Sequence, residues 1–382
     1  MHTSDTIRSL MDLPGEPGNL RIVAAMSGGV DSAVAAALVK RAGFDVVGIT
    51  LQLYASDNSP RRKGACCAGQ DIYDAKAAAQ HIGIPHYVLD YTERFRKSVM
   101  EDFASTYARG ETPVPCIQCN QTVKFHDLLG AAKDMGAKAM VTGHYIQRVQ
   151  GPAGAELHRA VDANRDQSYF LFATTKDQLD FLRFPLGGLP KSETRALAAE
   201  LGLALADKPD SQDICFVPQG RYSDIVQKLR PGSIEPGDIV DMSGRVLGRH
   251  DGVIGFTVGQ RKGLGLGHHE QLFVVRIDAD RQQVVVGPRE SLATRRIVLR
   301  DLNWLDPVQP AVQPRSVLAR VRSTRQPVRA EVRLLNGQVE VELLGHEEGV
   351  APGQACVLYD AADERRMLGG GWIVKGAAAF AA

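Results

Sequence analysis

The sequence predicts an α/β protein. Its N-terminal part reads as a doubly wound parallel sheet, followed by a small β-rich central domain and a C-terminal β-barrel. Up to about residue 217, apolar runs alternate with alanine-rich helical periods. This pattern is typical of parallel strands covered by helices on both faces. Beyond that point the helical periods fade and Pro-Gly pairs recur, which favours short strands joined by turns.

The size and composition are those of an ordinary globular protein with several domains. The chain has 382 residues, 44% hydrophobic and 23% charged, which is too long for one domain. No run approaches the roughly 18 apolar residues of a membrane span, and the polar N-terminus has no secretory signal, so we expect a cytoplasmic protein with no membrane partner. We expect a flexible tail, the sheet domain, the central domain and the barrel over residues 1–20, 21–217, 218–291 and 292–382.

A glycine-rich turn joins the first predicted strand, 21–24, to the first long predicted helix, 33–40. It consists of Ala25, Met26, Ser27, Gly28, Gly29, Val30, Asp31 and Ser32. The glycines allow close backbone approach to an anion, and the free N–H groups and dipole of a helix N-terminus favour phosphate. Asp31 is placed to cap the helix or to position a metal ion. The spacing fits neither GxxxxGK[ST] nor GxGxxG, so it predicts a different phosphate-binding loop.

Two other strand ends are predicted to lie beside this loop, because ligands of doubly wound sheets bind outside the carboxyl ends of the strands. Leu51 ends the second predicted strand, 44–53, and is a candidate for packing on an adenine ring. Gly143 and His144 end the predicted strand 138–145. Gly143 would let the backbone approach a nucleotide, and His144 is the one histidine for which the position predicts a functional role.

The cysteines point to reactive or metal-binding roles, since structural disulfides are rare in cytosolic proteins. Cys116 and Cys119 precede a predicted helix, 121–135, and a helix N-terminus makes a thiol more nucleophilic. Cys215 follows a Pro-Asp turn, on a predicted short strand. The C-x-x-C spacing leaves open an iron–sulfur cluster or zinc site formed by Cys116, Cys119 and Cys215. We expect the remaining three thiols to be bystanders or buried packing: Cys66, Cys67 and Cys356.

Six motifs in this order resemble the bacterial tRNA-specific 2-thiouridylase family of the ATP pyrophosphatase superfamily. They are the segments 27–32, 112–120, 142–145, 166–171, 211–216 and 259–265. The resemblance covers nearly the whole chain, and it implies an adenine nucleotide α-hydrolase-like N-terminal domain.

The resemblance implies a tRNA-uridine 2-sulfurtransferase. ATP would adenylate the C2 oxygen of the wobble uridine, pyrophosphate and later AMP would leave, and a cysteine persulfide would supply sulfur to give 2-thiouridine. A cysteine desulfurase or a sulfur-relay protein would be the sulfur donor, and Mg²⁺ would accompany ATP. An amide-like carbonyl oxygen leaves poorly unless it is converted to an AMP ester, so the chemistry is coherent.

Residue roles follow from motif position. Cys119 matches the nucleophile and Cys215 the persulfide carrier, and the pair is expected to form a transient disulfide. The loop 25–32 with Leu51 and Gly143 matches ATP-binding positions. The positions that match tRNA contacts are His144, Arg165, Asp166, Gln167, Arg322, Ser323 and Gln354.

One departure and two alternatives stay open at this point. Many family members have aspartate at the position of Cys116, so a general-base role there is in doubt. A ligase-type ATP pyrophosphatase would share the loop but would not need the cysteine pair. An RNA-binding, metal-sensing protein would bind tRNA without releasing pyrophosphate. An excess of arginine over acidic residues between 276 and 333 suits either a phosphate-rich partner or a solvated basic face.

Overall fold

The structure, a computed structural model, describes residues 3–54, 68–210, 214–217, 222–230, 234–267 and 271–374. These residues divide into two units. The first comprises the described residues of Met1–Ser98, Ile117–Pro218 and Arg365–Met367, and the second those of Val99–Cys116, Gln219–Glu364 and Leu368–Ala382. The three domain ranges predicted from composition stay a prediction.

The described strands form three sheets. In chain order they are β1 (Arg21–Ala25), β2 (Asp45–Gln52), β3 (His86–Asp90), β4 (Ala139–Val141), β5 (Ile146–Gly151), β6 (Gly154–Arg159), β7 (Leu182–Arg183), β8 (Gly237–Asp241), β9 (Val246–His250), β10 (Phe273–Asp278), β11 (Gln283–Gly287), β12 (Ala293–Trp304), β13 (Arg315–Arg320), β14 (Val328–Leu335), β15 (Gln338–Glu348), β16 (Ala355–Asp360) and β17 (Arg366–Ile373).

Most described helices belong to the N-terminal half of the chain. They are α1 (Ser4–Met11), α2 (Val30–Arg41), α3 (Ala68–Ile82), α4 (Thr92–Phe95), α5 (Glu101–Ala108), α6 (Pro115–Cys119), α7 (Leu129–Asp134), α8 (Lys176–Phe181), α9 (Lys191–Glu200) and α10 (Tyr222–Leu229). Two π-helical segments, Arg96–Met100 and Asn120–Leu128, join α4 to α5 and α6 to α7.

The first unit contains the predicted parallel sheet. Its strand order is β3-β2-β1-β4-β7, and every neighbouring pair is parallel. The chain runs from β1 outward to β3 on one side and then to β4 on the other, so β1 and β4 flank the switch point where such sheets bind ligands. The predicted doubly wound α/β class is therefore confirmed.

Helix α2 is buried on nearly all sides. Nine of its twelve residues are buried, and seven of these belong to one hydrophobic core with residues of β1, α1 and α9. Small side chains permit this close packing, which explains the alanine-rich sequence. The helix therefore begins at a fixed place at the end of β1.

The predicted flexible tail over residues 1–20 is wrong. Residues 4–11 form α1, which Thr3 caps by accepting a hydrogen bond from the Thr6 N–H at 3.2 Å. Ile7 and Met11, four residues apart and therefore on one helix face, are fully buried in the core of the first unit. Because the segment is polar overall, its two apolar residues on one helix face did not stand out in the sequence.

Arg183 anchors the end of α1. Its buried guanidinium donates to the carbonyl oxygens of Met11, Asp12, Asp180 and Leu182. Burial lowers the pKa of Arg183 to about 10, so the group stays charged at neutral pH. The last carbonyls of a helix have no intrahelical donor, and Arg183 supplies one.

The second unit holds the two β structures. Strands β10-β11-β8-β9 form a mixed four-stranded sheet. Strands β12-β15-β14-β13-β16-β17 close into an antiparallel barrel through the β12–β17 pairing, which confirms the predicted barrel. Asn336 and Gly337 have φ of 51° and 76° between β14 and β15, as expected of an Asn-Gly hairpin turn.

A π-helical turn separates α4 from α5, so residues 92–109 do not form one regular helix. Phe95, Val99, Phe103 and Tyr107, spaced four residues apart, are all buried. Residues 214–217 form a turn, not the short strand that the sequence predicted around Cys215.

Within the described part of the chain, no helix is long and apolar enough to cross a membrane.

We expect Arg183→Met to lower the free energy of unfolding by about 3 kcal/mol, because it leaves several buried carbonyls without a donor. Arg41→Met is the control, since Arg41 forms a surface ion pair with Glu200 that is worth at most about 1 kcal/mol. Urea unfolding of both variants measures the difference. Equal losses would contradict the anchoring role of Arg183.

Candidate functional site

The glycine-rich loop at the end of β1 has the conformation that its glycines predict. Gly28 has φ of 76°, and a Cβ at this position would lie 2.2 Å from the Asp71 carbonyl oxygen. Only glycine fits so close to the backbone of α3. The loop therefore runs directly against α3 before it enters α2.

Hydrogen bonds within the loop fix the start of α2. The Ser32 hydroxyl donates to the Gly29 carbonyl at 3.0 Å and accepts from the Ser27 N–H at 3.1 Å. Gly29 is the N-cap residue and makes no side-chain cap, so the suggestion that Asp31 caps the helix is wrong. Asp31 instead lies in the first turn of α2.

Lys208 clamps the loop from outside. Its ammonium group lies 2.8 Å from the Gly28 carbonyl oxygen, 2.8 Å from Asp71 Oδ1 and 2.6 Å from Asp74 Oδ2. Burial opposes the charge, but the hydrogen bonds to both aspartates raise the pKa of Lys208. A permanent cation thus lies against the backbone of the phosphate-binding loop.

A second lysine holds Asp31. The Lys191 ammonium group lies 2.7 Å from both Asp31 oxygens and 2.8 Å from Asp210 Oδ1. The Tyr145 hydroxyl lies 3.0 Å from Asp31 Oδ1. Burial alone would raise the pKa of Asp210, but the hydrogen bond and charge of Lys191, with the charges of Arg165 and Arg195, hold it below its usual range. The Lys191 ammonium group is therefore shared by the two carboxylates.

Gly143 and Leu51 lie at the predicted strand ends. A Cβ on Gly143 would lie 2.6 Å from Ser32 N and 2.7 Å from the Asp31 carbonyl carbon, so the chain after β4 packs directly on the first turn of α2. Leu51 is half-buried and is the second-last residue of β2. Met26 is buried, and a Cβ on Gly48 of β2 would meet its sulfur at 2.6 Å.

His144 is a neutral ring in an aromatic setting. It lies edge-to-face with Phe125 and Phe184, and its Nδ1 lies 2.8 Å from Thr142 Oγ1. Burial, with the nearby charge of Lys124, lowers the pKa of His144 to about 3. At neutral pH the ring can stack or form a hydrogen bond, but it cannot act as a cation toward phosphate.

The predicted contact segment 165–167 uses its side chains within the protein. Asp166 is buried and accepts hydrogen bonds from Ala160 N and from both Ser168 N and Oγ. Gln167 Oε1 accepts from Tyr145 N at 2.8 Å. Arg165 forms an ion pair with Asp210 at 2.8 Å. Residues 165–167 therefore link the chain after β4, at Tyr145, to Asp210.

Cys116 and Cys119 lie within the first turns of a helix, not in a preceding loop as the sequence predicted. The helix α6 begins at Pro115, a residue favoured at the first helical position. Cys116 is exposed and Cys119 is buried. The π-helical segment Asn120–Leu128 follows at once; π-turns occur frequently at functional sites.

Asn120 directly follows Cys119 and carries an unusual polar atom. Its amide Nδ2 donates to the Phe170 carbonyl at 3.1 Å, which identifies the other side-chain atom as the acceptor. That oxygen, Oδ1, is buried and has no hydrogen-bond partner among the described residues. A buried acceptor without a donor is costly.

Cys215 lies in a short anchored turn. Phe216 and Val217 are buried, the Phe216 ring packs edge-to-face on Phe95 at 5.7 Å, and Cys215 itself is half-buried. Cys356 is buried, and burial raises its pKa to about 12, which fits the predicted packing role. Cys66 and Cys67 lie outside the described residues.

The described residues do not form a ready metal site. Across the ranges given above, no three His, Cys, Asp or Glu side chains are grouped to hold a metal ion. Both Asp31 oxygens contact Lys191. The residues present therefore do not fit a resident cluster or metal ion, although Mg²⁺ commonly arrives on substrate phosphates with most of its waters.

Three predicted tRNA contacts lie in the second unit. The Gln354 side-chain amide donates to the Thr112 carbonyl at 3.2 Å, and Thr112 N donates to the Pro352 carbonyl at 2.8 Å. Arg322 donates to the carbonyls of Val258 and Gly349. Arg320 donates to the Ser323 carbonyl.

Sequence reasoning missed Lys191, Lys208 and Asp210. A signal was present for Lys191: it is the first residue of α9, where the helix dipole disfavours a cation. Such a residue needs a nearby anion. Lys208 and Asp210 follow α9 in irregular chain, and nothing local marks them.

The structure predicts that stability falls in acid because of His144. Its pKa of about 3 in the folded chain is below the 6.5 of an unfolded histidine, so the unfolded state binds the proton between these values, and the free energy of unfolding decreases as pH falls below about 6.5. His86 and His250, whose pKa values burial also lowers, act in the same direction.

Urea unfolding at pH 5 and pH 7.5 tests this for His144→Gln, with the exposed His346→Gln as control. In the His144 variant, the free energy of unfolding should depend less on pH, by up to about 1.4 kcal/mol per pH unit. An unchanged pH dependence in that variant would contradict the neutral assignment.

Family models match almost the whole chain. The tRNA methyl transferase HUP domain model matches residues 20–219, the tRNA methyl transferase PRC-barrel domain model residues 223–288, and the aminomethyltransferase beta-barrel domain model residues 294–373.

Curated relatives match over nearly their full length. The tRNA-specific 2-thiouridylase MnmA of Parvibaculum lavamentivorans is 60% identical over 96% of this chain and 93% of its own. The proteins of that name from Caulobacter vibrioides and Methylobacterium radiotolerans are 60% and 62% identical, covering 94% and 95% of this chain and 96% of each relative. On this identity and coverage, the chain belongs to the tRNA-specific 2-thiouridylase family.

Proposed function

We propose that this chain is a tRNA-uridine 2-sulfurtransferase that uses ATP to convert the wobble uridine of tRNA to 2-thiouridine. The observation that carries the proposal is the glycine loop at the β1–β4 switch point, built against α3 and the Gly143 backbone, in a chain about 60% identical to 2-thiouridylases over nearly its whole length. We propose that the reaction takes place in the cytoplasm.

ATP would bind with its phosphates at the start of α2. The loop 25–32 supplies backbone N–H groups and a helix N-terminus, which favour an anion. Leu51 would pack on the adenine ring. Gly143, which has no side chain, would let the backbone after β4 lie close to α2 beside the nucleotide. Mg²⁺ would arrive with the ATP phosphates, and no step is assigned to it.

The first step would be adenylation. The C2 oxygen of uridine attacks the α-phosphorus, the bond to the β-phosphate oxygen breaks, and pyrophosphate leaves with that electron pair. The cations of Lys191 and Lys208 contact the loop at Asp31 and at the Gly28 carbonyl. They hold it in one geometry, so that the loop N–H groups are positioned before the charge on the phosphates develops.

The second step would be sulfur transfer by Cys215 and Cys119. The terminal sulfur of a Cys215 persulfide attacks C2, and AMP leaves with the C2–O bond pair. The Cys119 thiolate then attacks the inner sulfur, which closes a Cys119–Cys215 disulfide and leaves the terminal sulfur on C2. A thiol reductant supplies two electrons to reopen the disulfide, and a cysteine desulfurase or sulfur-relay protein recharges Cys215.

The tRNA contacts remain those expected from the resemblance. We propose that His144 contacts the tRNA as a neutral ring, and that 165–167, Arg322, Ser323 and Gln354 contact it from segments that are already fixed by internal hydrogen bonds. Cys116, exposed on α6, stands where many relatives have aspartate. An iron–sulfur cluster is not part of the proposal, because the described residues offer no grouped ligands.

Cys119→Ser and Cys215→Ser should each abolish 2-thiouridine formation, because each removes a sulfur that the transfer needs. ATP binding should persist, since neither thiol belongs to the loop. Cys356→Ala, at a buried thiol outside the proposed chemistry, is the control and should retain activity. Mass spectrometry of tRNA nucleosides measures the product, and normal thiolation by either serine variant would refute the role of that cysteine.

Gly143→Ala should weaken ATP binding by roughly tenfold or more, because its Cβ would collide with Ser32 N and overpacking of this kind costs about 1–3 kcal/mol. Gly188→Ala is the matched control, since no described atom lies within 4 Å of the corresponding Cβ position. Calorimetric titration with ATP gives both affinities. Equal affinities would show that the contact of Gly143 with α2 does not shape the nucleotide site.

A further inference from the structure

The second unit contains an arginine-lined cavity that the proposed chemistry does not use. Its volume is about 310 Å³, near the lower end of the sizes typical of ligand sites. Four guanidinium groups and one carboxylate line it, from Arg261, Arg289, Arg322, Arg325 and Glu348. Several like charges that line one cavity attract an anion to it.

Arg322 builds one wall of this cavity. Its guanidinium donates to the carbonyls of Val258 and Gly349, and so joins the loop before Gly259 to the turn after β15. Gly259 and Gly349 have φ of 88° and 68°, and a Cβ on either would lie within 3.4 Å of Arg322 Nη2. The two glycines let the two backbones meet around this side chain, so Arg322 acts as a positioning residue.

Two of the cavity arginines differ from many arginines of the barrel because they form no ion pair. Arg296, Arg315 and Arg333 form ion pairs with barrel carboxylates. Among the described residues, by contrast, neither Arg261 nor Arg325 forms an ion pair. The Arg325 guanidinium has no hydrogen-bond partner among them, and Arg261 contacts only the side-chain oxygen of Gln271, at 3.4 Å. Both side chains are exposed.

The single carboxylate of the cavity is already neutralised. Both Glu348 oxygens lie 3.0 Å from Arg289 Nε, which leaves Arg261 and Arg325 without a carboxylate partner in the cavity. Arginine forks match phosphate oxygens in pairs. The half-buried ring of Phe273 also lines the cavity, and an aromatic face beside arginines suits a sugar or base next to a phosphate.

We propose that this cavity binds a backbone phosphate of RNA, with Arg261 and Arg325 as its direct ligands and Arg322 holding the wall. The inference rests on the proposed function, because that function makes tRNA the polyanion this chain meets. It adds a phosphate site formed by the central sheet region and the barrel within the second unit.

The test compares Arg261→Gln, Arg325→Gln and the double variant with Arg329→Gln. Arg329 is an exposed arginine of β14 that does not line the cavity, so it controls for lost net charge. Filter binding measures tRNA affinity from 50 to 300 mM NaCl, and thermal melting checks that every variant is folded. The double variant should bind tRNA about tenfold more weakly, and the slope of log affinity against log salt should fall by roughly 1 to 2.

Several outcomes would overturn the proposal. One is unchanged affinity and slope in the double variant, and another is an equal loss in Arg329→Gln. Loss of inorganic phosphate binding with unchanged tRNA binding would identify a small-anion site instead. Loss of binding to an acidic protein with unchanged tRNA binding would identify a protein-docking surface.

Parallel assay of 2-thiouridine distinguishes this inference from the proposed function. If the unsubstituted chain binds tRNA through the cavity but forms no 2-thiouridine, the proposed function fails and the cavity proposal stands. If it forms 2-thiouridine and the double variant binds tRNA normally, only the cavity proposal fails. If the unsubstituted chain does not bind tRNA, both fail.

Discussion

The candidate site depends on one buried ammonium group, that of Lys191. It lies between the carboxylates of Asp31, in the first turn of α2, and Asp210, in the segment that leads toward Cys215. Breaking a buried pair leaves an uncompensated charge that typically costs about 3–5 kcal/mol. One side chain thus ties the first turn of α2, next to the phosphate-binding loop, to Asp210.

Close backbone packing supplies the rest of the geometry. Gly28 lies against α3, and Gly143 lies against the first turn of α2. These contacts leave no space for side chains, and Lys208 holds the loop carbonyl from the other side. A nucleotide would therefore meet a backbone surface that is already ordered, so that binding does not have to order it.

The sequence predicts well those features that depend on short-range patterns. The strand–glycine–helix order around residues 21–41, the parallel class of the first sheet and the Asn336-Gly337 hairpin all follow from local spacing. What the sequence could not show depends on distant partners. Lys191, Lys208 and Asp210 acquire their roles only when α2, α3 and α9 come together, and the side chains of Asp166 and Gln167 are used internally for the same reason. The error over α1 had another cause, because two apolar residues in a polar segment gave too weak a periodic signal.

Hydrogen bonds join Thr112 to the turn 352–354, so the barrel packs with a segment that lies far from it in sequence. Both backbone groups of Thr112 are held by that turn, and a Cβ on Gly353 would lie within 3.0 Å of Glu111 and Thr112. The segment just before the cysteine-bearing helix is thus part of the barrel's own packing, although some 240 residues separate them in sequence. A barrel exchanged between relatives would have to bring its own version of residues 109–114, and homologous recombination at a single junction after the first sheet would separate two pieces that fit only each other.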